Sequence, residues 1–201
     1  MFSKKIFKDR GPTRIFIGGV HGKEGLTSIN IIKKLKNDDV NDGSLLLYNC
    51  PESKYISTLD PGYYSTDMGK EILNLIKTYT PTIYVELHCY KPESYLKLVD
   101  CNRKEKSGVP PLIELEQGVL ISSVAPYLRT EVFKRDDVCI TLEMPFKPTE
   151  TAANIYFEVL KSIAGSNNRK EFEDKLKVKY PKQVKTARRY AAEFFGEYPA
   201  F

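Results

Sequence analysis

Short runs rich in β-branched and aromatic residues punctuate this chain at 13–18, 45–48, 82–87, 95–99, 118–122 and 138–142. Each is bounded by turn-forming residues, the pattern of strands buried on both faces. Between the first three, the periodicity changes. Ile29, Ile32 and Leu35 share one helical face, and so do Met68, Ile72, Leu75, Ile76 and Tyr79. Strand, helix, strand, helix, strand in that order predicts an α/β fold, a mainly parallel or mixed central sheet flanked by helices. From 91 to 135 the chain is rich in strand and turn residues and is broken by Val109-Pro110-Pro111, which predicts irregular or antiparallel structure. After Pro145 the pattern becomes helical, with Ala153, Tyr156, Phe157 and Leu160 on one face and Gly165 as a stop. A polar stretch spans 166–179, and a last helix is expected from Pro181, with Val184, Ala187, Ala191 and Phe194 on its apolar face. Without internal repeats or a low-complexity linker, 1–201 reads as a single domain: a core over 13–145 and C-terminal helices over 146–201.

Composition removes several classes. The 201 residues suffice for one sizeable core. With 41% hydrophobic and 28% charged residues the chain is not disordered as a whole. No apolar run reaches the roughly 20 residues a bilayer span needs. The basic stretch from Met1 to Arg14 precedes no apolar segment of signal-peptide length, so a cytoplasmic location and no membrane partner are expected. The net charge of +5 is a mild excess. Lys179, Lys182, Lys185, Arg188 and Arg189 form a basic run, which reads as a solvated helix face; it matches no nucleic-acid motif, and no nucleic-acid partner is expected. Cys50, Cys89, Cys101 and Cys139 form no Cys-x-x-Cys pair and read as free thiols in or near the core.

The chemistry concentrates at strand ends. Gly18-Gly19-Val20-His21-Gly22-Lys23-Glu24-Gly25 follows one predicted strand and precedes a helix. Ligand sites in open α/β sheets form at the carboxyl ends of strands, and the glycines let the backbone turn sharply there. Tyr84-Val85-Glu86-Leu87-His88 is a second buried run ending in the chain's other histidine. In a parallel sheet it falls on the same edge. Two histidines and a glutamate make three protein ligands, the number that leaves an open position at a catalytic zinc. Cys139-Ile140-Thr141-Leu142-Glu143-Met144-Pro145 ends a third run in a glutamate, placed to act as a base and then an acid beside that position. A lone His-x-x-Glu carries little weight. The conjunction carries more: the only two histidines and two glutamates, each at a strand end. Adjacent strand residues face opposite ways, so Cys89 should point away from His88. Tyr63 and Tyr64 are placed to line the pocket.

At these residues the sequence resembles the zinc carboxypeptidase superfamily, in its succinylglutamate desuccinylase and aspartoacylase branch. Gly19-Val20-His21-Gly22-Lys23-Glu24 looks like that branch's Gly-x-His-Gly-x-Glu. Glu86-Leu87-His88 resembles its Asp-Leu-His, with Glu for Asp. Glu143-Met144-Pro145 resembles its catalytic Glu with a proline just beyond, and Asn49-Cys50-Pro51 is similar to its Asn-Pro step. The motif set also resembles a small archaeal, methanogen-type family. The resemblance implies one zinc per chain held by His21, Glu24 and His88, and Glu86 as a carboxylate orienting a ligand. It further implies Glu143 as general base and acid in hydrolysis of an amide bond, in a small-molecule or peptide substrate.

One departure stands out. The branch carries arginines between its ligand Glu and second His, one for the oxyanion and one for the substrate carboxylate; this chain has none between Glu24 and His88. Lys54, Arg103 and Arg129 are the candidate substrate-binding cations. A lysine there would lose the bidentate grip of an arginine. The C-terminal β-domain of the aspartoacylase branch also has no counterpart, since the residues after Pro145 read as helices. The competing expectation is a metal- or ligand-binding relative of the same fold that no longer catalyses.

Overall fold

The computed structural model describes residues 1–201. Its centre is one mixed sheet of seven strands: β1 (Phe2–Phe7), β2 (Thr13–Gly18), β3 (Ser44–Asn49), β4 (Ile83–Tyr90), β5 (Ile113–Glu116), β6 (Val119–Ser123) and β7 (Val138–Pro145), in the order β1-β3-β2-β4-β7-β6-β5. The inner four strands β3, β2, β4 and β7 run parallel. β1 pairs antiparallel with β3 at one edge, and β6 and β5 complete the other edge in antiparallel fashion. Parallel neighbours need a crossover between them. α1 (Gly25–Ile32) leads from β2 to β3 and α2 (Asp67–Tyr79) from β3 to β4. The long β4-to-β7 excursion contains α3 (Tyr95–Leu98), α4 (Arg103–Ser107), the β5–β6 hairpin and one π-helical segment, Tyr127–Val132. α5 (Glu150–Ala164), α6 (Arg169–Lys179) and α7 (Pro181–Phe195) close the chain.

Alternation along the strands sorts the core into two layers. Phe16, Val85, Leu87, Ile140 and Leu142 point to one face and pack with Ile32 of α1 and Tyr156, Leu160 and Ile163 of α5 in the larger cluster, which α6 and α7 also enter. Ile15, Ile17, Tyr84 and Cys139 point to the other face and pack against Ile72 and Ile76 of α2 and Phe133. α2 covers only part of that second face. The rest, over β4, β7 and β6, is open and holds the site described below.

Local chemistry sets the helix starts. The hydroxyls of Thr66 and Thr149 accept the N–H groups of Gly69 and Ala152 at the heads of α2 and α5, and the Asn168 carboxamide accepts that of Glu171 at the head of α6. α5 ends at Gly165 and α7 begins at Pro181, as the sequence predicts. No helix is long and apolar enough to cross a membrane.

One segment differs from the sequence expectation, and two others form elements the sequence reading did not delimit. Residues 95–99, expected as a strand, form α3 and its cap: Pro92 opens a helical turn, and the Ser94 and Val99 N–H groups donate to the carbonyls of Lys91 and Tyr95. The polar stretch 166–179 contains α6, which buries only Phe172, Glu173 and Leu176 and so lacks a wide apolar stripe. The basic N-terminus forms β1, an edge strand in which Ile6 alone is buried and lysines take other positions, the composition that keeps an edge from pairing with another chain.

Candidate metal centre

β2 delivers the chain to the site and a tight turn spends the next six residues there. Gly19 has φ +73°, and a Cβ on it would lie 1.7 Å from the Cys50 carbonyl oxygen, so only glycine fits. The same carbonyl excludes a side chain at Gly25. Asn49 binds the two strand ends to the helix: its Nδ2 donates to the Gly25 carbonyl at 3.1 Å and its Oδ1 accepts from Ser28 Oγ at 2.7 Å. The Tyr63 hydroxyl donates to the Val20 carbonyl at 2.6 Å. The turn is thus held from three sides, which fixes His21 and places Glu24 at the N-terminal boundary of α1.

The three expected ligands converge. One donor atom each from His21, Glu24 and His88 lie within 4.8 Å of one another. Glu24 Oε1 accepts the Cys89 backbone N–H at 3.2 Å, which aims the other oxygen inward. Oε2 lies 3.2 Å from His88 Nδ1 and 3.6 Å from His21 Nδ1. The rings of His21 and His88 are 5.0 Å apart. Glu24 Oε2 and His21 Nδ1 are buried without a hydrogen-bond partner. Buried polar atoms are nearly always paired, so two such orphans facing the same point fit a cation at that point. Two imidazoles and a carboxylate suit zinc by donor type.

His88 is held from behind. Its Nε2 is 3.3 Å from Glu86 Oε2, leaving Nδ1 for the centre. Burial lowers the His21 pKa, which favours the neutral ring a metal needs. Burial would lower His88 too, but Glu24 and Glu86 outweigh it and hold the imidazole well above its ordinary value.

Glu143 pairs with His88 in the parallel β4–β7 register, so both side chains leave the same face on strands about 4.8 Å apart. Desolvation pushes its carboxyl up to about 7, Glu24 adds to the rise, and His88 and Arg103 oppose it. A carboxyl titrating near neutrality can both take and return a proton. His21, Glu24, His88 and Glu143 all line one cavity of about 930 Å³, roofed by the α3–α4 segment.

The candidate cations separate. Arg103 lines this cavity, with its Nη1 donating to the Pro110 carbonyl at 2.9 Å. Arg129 does not: it is fully buried, its two Nη atoms bond the carbonyls of Lys134 and Arg135, and its guanidinium stacks 4.7 Å from the Tyr198 ring centre. It ties the π-helical segment to Tyr198, beyond the end of α7, so its assignment as a substrate cation is corrected. Lys54 lines a neighbouring hollow with Glu71 and Asp67 instead. Tyr63 is spent on the turn, and Tyr64 packs against Tyr127; neither lines the cavity. Tyr55 does, set edge-on to His21 with ring centres 5.2 Å apart. Lys91 and Lys97 also face the cavity. Nothing in the sequence marks these three, since only the tertiary path of the loop after β3 and of the segment from β4 into α3 brings them there. As expected, Cys89 packs in the larger core, although it also borders the cavity, and the four cysteines are free; Cys101, expected in or near the core, is instead exposed.

The fold and site define an α/β protein with a candidate His-Glu-His centre at the carboxyl ends of its parallel strands. The chain belongs to the family described as "Uncharacterized protein conserved in archaea (DUF2119)", which matches residues 9–196. An uncharacterized protein of Methanocaldococcus jannaschii is 39% identical to it over 193 residues, 94% of each chain. Among solved structures, the product-bound ectoine utilization protein EutE (DoeB) of Ruegeria pomeroyi superposes with a TM-score of 0.45 and 14% identity, over 81% of this chain and 59% of that one. An aspartoacylase family protein of Mesorhizobium loti gives 0.44 and 17%, over 83% and 56%. This chain therefore spans less than two thirds of the length of either solved protein.

Proposed function

We propose that this protein is a zinc-dependent hydrolase of an amide bond, an N-acyl amino acid deacylase or carboxypeptidase-like enzyme of the cytoplasm. The observation that carries this reading is the placement of Glu143, in register with His88 and in one cavity with all three candidate ligands. His21, Glu24 and His88 would hold the ion. When bound, it supplies Lewis-acid polarisation of a carbonyl and acidifies water. Glu143 takes a proton from the attacking water and returns it to the leaving nitrogen, a task matched to a carboxyl near pH 7. Arg103 is the remaining guanidinium on the cavity wall, and Lys91 and Lys97 stand there without a salt-bridge partner, whereas Lys23 is paired with Glu52 at 3.7 Å. These cations favour a substrate with a carboxylate remote from the scissile bond.

The test is a screen of N-acyl amino acids and short peptides with the zinc-loaded protein and its Glu143→Gln variant. The reading predicts turnover that falls by roughly 10²–10⁴-fold in the variant with zinc retained. Undiminished turnover in the variant would remove Glu143 from the mechanism. The second reading, a metal- or ligand-binding protein without catalysis, is favoured by one observation: Arg129 and Lys54 stay out of the cavity, leaving a single arginine where oxyanion and carboxylate both need a partner. Stoichiometric zinc with no turnover across the screen would select it.

A further inference from the structure

β4 carries a polar row that the metal centre does not exhaust. Tyr84, Glu86 and His88 occupy alternate positions and so share one face of the strand. All three are buried, Tyr84 and Glu86 completely. The Tyr84 hydroxyl donates to Glu86 Oε1 at 3.0 Å, and Glu86 Oε2 is 3.3 Å from His88 Nε2. These two contacts are the hydrogen bonds of the Glu86 carboxylate. Its lateral neighbours are Ile17 of β2 and Thr141 of β7. The Tyr84 ring is itself immobilised, packed 5.1 Å from that of Phe133.

We infer that Tyr84 is a positioning residue of the metal centre, acting through Glu86 on the ring of His88; the inference rests on the metal-centre reading above. A glutamate reaches His88 through rotatable bonds, and a carboxylate held at one oxygen alone can turn away. The phenol holds the second oxygen, so the carboxylate plane is set by a group anchored in the core. That keeps the Nε2–H of His88 aimed at Glu86 and leaves Nδ1 directed at Glu24 and His21. Partners behind a metal-bound histidine set its tautomer and orientation. The row extends that support one residue deeper, into the layer under α2.

The test is zinc affinity, measured by competition with a chelator, for Tyr84→Phe, Glu86→Ala and the double variant. Glu86→Ala is expected to weaken zinc by roughly 10–100-fold. Tyr84→Phe is expected to weaken it by about 10-fold on its own and to add nothing in the Glu86→Ala background, because its effect passes through the lost carboxylate. Leu46→Ala, in the same core layer but on β3, which β2 separates from β4, controls for packing: it should lower stability and leave zinc affinity unchanged. A second readout needs no metal. With two histidines in the chain, the His88 Nε2–H can be assigned by NMR in the metal-free protein; the row is expected to slow its exchange, and Tyr84→Phe should hasten it. If Tyr84→Phe binds zinc as the native chain does and keeps that signal, or if its effect persists undiminished without Glu86, the inference is overturned. Failure of the native chain to bind zinc would instead sink the metal reading, and the NMR comparison would still decide the row.

Discussion

The two faces of β4 differ by a one-residue offset and by almost everything else. Ile83, Val85, Leu87 and Cys89 enter the larger apolar core, while Tyr84, Glu86 and His88 form the polar row that ends at the candidate centre. Every residue of the strand is buried, so exposure does not distinguish the two sets. What differs is the partner: helix α5 and its neighbours on one side, and on the other a helix that stops short and leaves a cavity. One strand can therefore serve stability and chemistry at once, with neighbouring residues assigned to separate tasks.

This separation can be broken by substitution. Leu87→Ala should destabilise the fold by roughly 2–5 kcal/mol in urea unfolding, through lost burial and the cavity left behind, while the folded fraction keeps its zinc affinity. A parallel collapse of affinity would mean that the faces are not independent. Next in size is Glu143→Gln in the metal-free protein. The folded carboxyl titrates at about 7 against an ordinary 4.5. A raised acid leaves stability intact below the unfolded value and lowers it as pH rises through the folded one. Glu143→Gln should thus unfold like the native chain at pH 4 and be more stable at pH 8, by on the order of 1–3 kcal/mol. Equal stability at pH 8 would show that water in the cavity already solvates the carboxylate.

Zinc affinity itself should rise with pH. The metal-free His88 is held protonated well above its ordinary pKa by Glu24 and Glu86 against burial, so binding must displace that proton. Affinity independent of pH from 6 to 8 would contradict this account of the pocket. The smallest effect belongs to Cys89→Ala. It adjoins His88 but faces the apolar core, and its contact with Glu24 is through the backbone N–H. About 1 kcal/mol of stability should go and zinc affinity should not move.

The same offset explains what was legible in the sequence. Continuous apolar runs leading to His21, His88 and Glu143 announce parallel strands with the candidate site residues at one edge, because period and position are local properties. The family resemblance added roles for those residues. Residues 95–99 look like a strand by composition, yet the turn begun at Pro92 makes them helical. α6 hides behind its charges because it docks through three buried side chains. Arg129 and Arg103 look alike in sequence; only the path of the π-helical segment buries one among carbonyls and leaves the other at the cavity. The Tyr84 row was half visible, since the alternation is written in the strand but the phenol's distance to Glu86 is a property of packing.

The central claim is that His21, Glu24 and His88 form one metal centre. Zinc content after reconstitution and exhaustive dialysis, for the native chain beside His88→Ala, tests it most directly. The account predicts close to one zinc per chain in the native protein and none retained in the variant, with both folded by circular dichroism. Zinc absent from the native chain, or retained in full without His88, would contradict it.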